Sequence, residues 1–436
     1  MVESQPGVKL KVFSIRRIIK VTAVVVVLTL LMGASTLTQG DFADRVRAYT
    51  RQVEFDYVSW TINALAIKWQ QMALGSGEYV PQADQSQIVL QYLDLVRQIG
   101  DLEGQVTQIY ADPEVRDPQA ASQKLRAEIS QLHIRRDLLG PLAETVLQAQ
   151  LTEVLSELGV SLGGQPIPPV MYHITPPPSA LIVSPRNVIR QDANISINPD
   201  MTLEQITQLE DQVADGLDVS TLVVGIGGVG LYPTMVMQTT DINWLAEVVA
   251  HEWTHNFLTL RPLGASYLNS PELRSMNETT ASLAGKEVGR ALIAKYYPEY
   301  LPPPPQPEPE NPNPRPGEPP VFDFRGEMRI TRMHVDELLA QGRVDEAESY
   351  MELRRRFFWE NGYHLRKLNQ AYFAFYGAYA DQPGGAAGAD PVGAAVRELR
   401  ANSPDLATFL NRISWVWTFD QLQQMVQQVD QPPAGS

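Results

Sequence analysis

Residues 244–260, WLAEVVAHEWTHNFLTL, leave the backbone little choice. Trp244, Val248, His251, His255 and Leu258 follow at steps of four, three, four and three, the repeat of one helix face. Thr240 or Asp241 can cap the start, and Arg261-Pro262 stops the far end. Both imidazoles then point the same way, one turn apart, with Glu252 one step round from them. Two imidazoles so placed suit two ligands of one tetrahedral ion, and the glutamate can reach a nearby water without ligating. The competing reading is a core helix whose two histidines are satisfied by polar neighbours.

The next segment weighs against that competitor. In SPELRSMNETTASLAGKEVGRALIAKYY, Ala281, Ser282, Gly285 and Gly289 fall near Glu278 on one helical face. A stripe of small residues lets two helices approach closely, setting the face that carries Glu278 against its neighbour. The chain contains no cysteine, so thiolate zinc sites, disulfides and cysteine nucleophiles are excluded, and a histidine–carboxylate set points to zinc.

His251-Glu-Trp-Thr-His255 followed by Asn277-Glu278-Thr-Thr-Ala281, with Glu278 23 positions beyond His255 (278 − 255), resembles the gluzincin-type zinc metallopeptidases. The similarity is to the thermolysin-like and membrane-alanyl-aminopeptidase-like enzymes and to the bacterial family of predicted aminopeptidases, and it covers about residues 222–300. It implies one Zn²⁺ on His251, His255 and Glu278. It also implies Glu252 as the general base that takes a proton from the attacking water and hands it to the leaving amine. The expected partner is a peptide or protein substrate. Two departures stand out. Thermolysin-like enzymes carry an aspartate four residues after the ligand glutamate, where this chain has Ser282. The segment GIGGVGLYPTMVMQ holds no acid to receive a free amine, so exopeptidase specificity finds no support.

The same segment spells G-x-G-x-x-G over residues 225–230, the dinucleotide-binding fingerprint. That fingerprint needs its last glycine to open a helix, and LYPTMVMQTT does not. A glycine-rich turn, or a backbone closely approached by substrate, is the better reading.

The chain as a whole is expected to be α+β and mostly helical, with a small mixed sheet packed on the metal-site helix pair. Lys9, Lys11, Arg16, Arg17 and Lys20 precede an uncharged run over residues 21–40. This pattern predicts a single-pass membrane anchor with the bulk of the chain extracytoplasmic, or secreted if the segment is cleaved. The net charge of -15 argues against nucleic acid. Residues 41–161 read as a helical spacer or interaction domain, interrupted at Gly75–Gly77, Asp112-Pro113 and Gly140-Pro141. Residues 162–300 read as the metal-site core, 301–325 as a proline-rich linker, and 326–430 as a helical subdomain completing the cleft.

In that last part, LRKLNQAYFAFYGAYA resembles a helix that follows the metal site in the predicted aminopeptidases. It nominates Tyr372 and Tyr376 as catalytic donors to the oxyanion, with Tyr379 and His364 as alternatives, although aromatics at this spacing also pack cores. His133 reads as a helix-surface residue, His334 as a surface residue at a helix start and His173 as a loop residue. Two other functions compete. One is a catalytically silent scaffold that binds a partner; the other is hydrolysis of peptidoglycan cross-links.

Overall fold

Long apolar-periodic segments become long helices. A computed structural model describes residues 41–74, 80–303, 322–382 and 384–429. The expected anchor at 1–40 and most of the proline-rich linker lie outside these residues. Among the described residues no helix is long and apolar enough to cross a membrane.

Helices α1 (Phe42–Thr50), α2 (Tyr57–Leu74), α3 (Gln82–Ala111), the short α4 (Pro118–Ala121) and α5 (Gln123–Glu157) come first. Helix α5 runs straight through Gly140-Pro141, where the sequence led us to expect a break. Proline removes one N–H···O bond, but Leu147, Leu151 and Leu155 bury the helix in the same core as Val89, Leu93 and Val96 of α3. The glycine has its own use: a Cβ on Gly140 would stand 3.3 Å from the Tyr92 ring.

The proline-rich stretch that follows yields two three-stranded sheets rather than the one expected. In the mixed sheet, β1 (Tyr172–Ile174) runs parallel to the central β6 (Thr234–Val236), and β5 (Gly228–Val229) is antiparallel at the edge. The other sheet is antiparallel, with β2 (Ser179–Pro185) between β3 (Ala193–Ile197) and β4 (Val219–Gly225). Strand β2 reads as a continuous apolar run because both its faces are covered. Leu181 and Val183 pack with Leu209 and Val213 of α6 (Leu203–Leu217) and with Val46 of α1. Ala180 and Ile182 face Ala371 and Phe375 of α12 (Gln370–Tyr376). Thr202 caps α6, in a reciprocal capping box with Gln205.

Helices α7 (Ile242–Thr259), the short α8 (Pro262–Ala265) and α9 (Pro271–Tyr296) carry the candidate ligands. The Asp241 side chain caps α7 by accepting from the Asn243 and Trp244 N–H groups, and Ser270 caps α9 ahead of Pro271. Helices α10 (Phe324–Ala340), α11 (Val344–Glu360), α13 (Pro391–Ala401), α14 (Leu406–Ile413) and α15 (Phe419–Val429) complete the chain. One apolar core includes residues of α3, α5, α7, α9, α13, α14 and α15, so packing continues across the boundary expected at residue 161.

His173 is a strand residue rather than a loop residue. Its Nδ1 lies 3.0 Å from Glu144 Oε1, which also accepts from the Ile174 N–H at 2.7 Å. The Lys68 ammonium pairs with the other carboxylate oxygen in a fully buried contact. Burial raises the Glu144 pKa, but Lys68, His173 and the Ile174 N–H outweigh it and hold the carboxyl down at about 2. The other histidines stand apart from this cluster. His133 lies on α5, 3.7 Å from Glu103, and His334 is mid-helix on α10 against the Tyr350 ring.

Candidate metal centre

Two helices meet closely where the small residues lie. A Cβ added at Gly285 would stand 2.9 Å from the Glu247 carbonyl oxygen and 3.0 Å from His251 Cβ. One added at Gly289 would stand 3.0 Å from Glu247 Cα. Only hydrogen at these two positions lets the backbones of α7 and α9 touch, and that contact places Glu278 opposite the histidines.

The Nε2 atoms of His251 and His255 are 3.1 Å apart. Glu278 Oε2 lies 3.6 Å from the first and 3.4 Å from the second. A tetrahedral zinc with bonds of about 2.0–2.1 Å sets neighbouring donors about 3.3–3.4 Å apart, so the three spacings suit one such ion. The polar surroundings fit as well. Glu278 Oε2 is buried with no hydrogen-bond partner, while Oε1 accepts from the Tyr267 hydroxyl. Asn277 Nδ2 donates to the Leu263 carbonyl, which turns Oδ1 towards His255 Nδ1 at 2.7 Å. With its Nδ1–H engaged there, His255 offers the Nε2 lone pair to the centre.

The charges couple strongly. Burial works against protonation of His255, but the Glu278 carboxylate, with help from Glu252 and Asn277, pushes it up to about 9. Burial would raise Glu278, and the two imidazoles outweigh it and hold the group well below the usual carboxylate range. Glu252 is raised, chiefly by burial and also by Glu278, against the pull of both histidines.

The group opens into a cleft of about 660 Å³. One wall is the glycine-rich edge strand β5. A Cβ at Gly228 would stand 2.7 Å from Glu252 Cγ, and one at Gly230 would stand 2.9 Å from His255 Cβ. These glycines therefore serve close approach to the protein's own helix, not to a pyrophosphate.

No family model, curated protein or solved structure matches the chain. The site therefore rests on its own geometry.

Of the residues nominated from the sequence, His251, Glu252, His255 and Glu278 come together in the cleft. Tyr372 and Tyr376 do not join them. Their rings lie against each other, tilted, with centroids 4.6 Å apart, Tyr372 packs into the apolar layers around α12, and neither lines the cleft. The helix ends at Tyr376, so Tyr379 lies beyond it and leaves the phase that Tyr372 and Tyr376 share. His364 lies against the Trp359 ring, also outside. Tyr379, just past α12, does line the cleft, and its ring stacks 6.4 Å from that of His251. The sequence reading assigned no role to Tyr267 or to the Asn277 side chain. Asn277 adjoins Glu278, so its place in the motif was a usable signal; Tyr267 lies in an irregular loop whose path only packing determines.

Proposed function

We propose that the protein is a zinc-dependent hydrolase of peptide bonds, of the gluzincin type its motifs resemble, anchored at a membrane by residues 1–40 with the site outside the cytoplasm. The observation that carries this reading is the convergence of three donor atoms from two helices, one a buried carboxylate oxygen with no other partner, beside a buried glutamate. A zinc ion held by His251, His255 and Glu278 would supply Lewis-acid activation of water and of a carbonyl.

The chain's own side chains would do the rest. Glu252 lines the cleft one step round the helix from both imidazoles. Its raised pKa suits a base that takes a proton from the attacking water and returns it to the leaving amine. Burial pushes the Tyr379 phenol well above its ordinary value, so it stays protonated and can donate to the carbonyl oxygen as charge develops. The substrate class follows from the wall opposite. Among the described residues β5 pairs with β6 alone and Gly228 and Val229 line the cleft, so an extended peptide could pair with this strand.

Glu252→Gln should keep full zinc content and lose cleavage of an unstructured protein, whereas Glu278→Ala should lose zinc. Undiminished turnover by the first variant would remove Glu252 from the mechanism. A zinc-loaded wild-type protein that cleaves nothing, with or without chelator, would favour the binding scaffold instead.

A further inference from the structure

Lys68, Glu144, Glu210, Glu252, Arg274 and Glu278 are the buried charged side chains among the described residues. Lys68 and Glu144 pair with each other, Glu210 pairs with Arg366 and Lys367, and Glu278 faces the two histidines. Glu252 sits in the field of the same histidines. Arg274, 8% exposed, makes no ion pair among the described residues. Its Nη1 donates to the Ala374 carbonyl at 2.8 Å, the Tyr267 phenol hydrogen-bonds to it, and its buried Nε has no partner. A guanidinium stays charged at any pH a protein meets, and burying it without a counter-charge is strongly unfavourable.

The position of this cation, which feels the Glu278 carboxylate without pairing with it, is informative. Among the described residues lining the metal cleft, Arg274 is the one lysine or arginine. It also lines an adjoining cavity of about 570 Å³ that shares Gln191, Tyr267, Leu268 and Asn269 with the cleft. It stands one turn before Glu278 on α9, so about 6 Å along the helix separates the two. A cation at the centre would take up the charge of Glu278 and leave Arg274 still less compensated. What is missing is an anion brought in from outside, and the planar fork of a guanidinium matches a carboxylate.

We propose that Arg274 is the binding group of a carboxylate subsite opening off the metal cleft, so that the substrate is a peptide bearing a carboxylate within about two residues of the cleaved bond. The carboxylate is either the C-terminus or an aspartate or glutamate side chain. The peptide part of this inference rests on the function proposed above; the subsite itself rests on the buried, unpartnered Nε of Arg274 and its place on the cleft wall.

The test uses full-length, zinc-loaded Glu252→Gln protein, so that binding is read by calorimetry without turnover. The probes are succinate and three N-acetylated Ala-Leu tetrapeptides: one with a free C-terminal carboxylate, its C-terminal amide, and an amide ending in aspartate. At least one of the two carboxylate-bearing peptides should bind roughly tenfold or more tightly than the plain amide. That preference should vanish with Arg274→Met and return in part with Arg274→Lys. Tight binding of the aspartyl amide assigns the side chain as the source, and weak binding assigns the C-terminus. If neither the free acid nor the aspartyl amide binds more tightly than the plain amide, the subsite is overturned and the peptidase reading stands. A preference that survives Arg274→Met, as direct capture by zinc would give, also overturns it. If no peptide binds but succinate does, and Arg274→Met abolishes this, the peptide reading falls and the carboxylate subsite stands. If nothing binds, both fall. The comparison of acid with amide requires no change at Arg274, so it decides the matter even if the methionine variant fails to fold.

Discussion

Replacing Gly285 by alanine probes the helix contact on which the whole centre depends. The new Cβ would stand 2.9 Å from the Glu247 carbonyl oxygen, 3.0 Å from His251 Cβ and 3.2 Å from His251 Cα. Comfortable carbon contacts lie at about 3.5–4.0 Å, so α7 and α9 must separate by roughly 0.5–1 Å. Overpacking of this kind costs about 1–3 kcal/mol. Alanine is also the better helix former by about 1 kcal/mol, which conceals part of the loss. Gly100 on α3 supplies the control, because a Cβ there meets nothing within 4 Å. The difference between the two substitutions isolates the contact. In urea unfolding of metal-free protein, Gly285→Ala should therefore be about 1–3 kcal/mol less stable than Gly100→Ala. The centre should suffer as well. The spacings of 3.4 and 3.6 Å join donors on different helices, whereas the 3.1 Å spacing lies within α7. Separation stretches only the first two, and zinc affinity measured by competition with a chromophoric chelator should fall by about tenfold or more. If Gly285→Ala matches Gly100→Ala in stability and binds zinc as tightly as the parent, the close-approach argument is wrong.

The two candidate tyrosine positions separate by kinetics. Tyr379→Phe should lower kcat by roughly a hundredfold with little change in KM, while Tyr372→Phe, outside the cleft, should change both by less than a few fold; equal effects would remove Tyr379 as the donor. The buried Lys68–Glu144 pair predicts acid sensitivity. Glu144 is depressed from 4.5 to about 2, so its contribution is fully present above pH 4.5 and lost as pH falls towards 2. At about 1.36 kcal/mol per pH unit, that interval corresponds to roughly 3 kcal/mol. Urea unfolding at pH 6, 4 and 3 should show about 2 kcal/mol of this loss by pH 3 in the parent and not in Glu144→Gln, and parallel pH dependence in both would contradict it.

Helix phase was legible in the letters because it is a local property. The four-and-three spacing of Trp244, Val248, His251, His255 and Leu258 survives into α7, and the small residues after Glu278 lie where α9 meets it. Punctuation was less dependable. Pro141 lies within α5 because burial of Leu147, Leu151 and Leu155 tolerates the loss of one hydrogen bond. The tyrosines were misplaced for a related reason: three rings at positions 372, 376 and 379 look equivalent in sequence. Which of them reaches the cleft depends on where α12 ends and on which of its faces covers β2 and β4.

By itself the sequence determined the kind of chemistry available: no thiols, two imidazoles and a glutamate on one turn of helix, and a second acid beside a run of small residues. Tertiary structure alone decided which groups serve them. It brought Asn277 to His255, Tyr267 to Glu278, the glycine edge of β5 onto Glu252, and left the Arg274 guanidinium buried with its Nε unpartnered. The physical reason is that backbone periodicity is set by neighbours along the chain, whereas hydrophobic burial has no preferred direction. Which distant side chains end up in contact is settled only when the packed elements exclude every other arrangement.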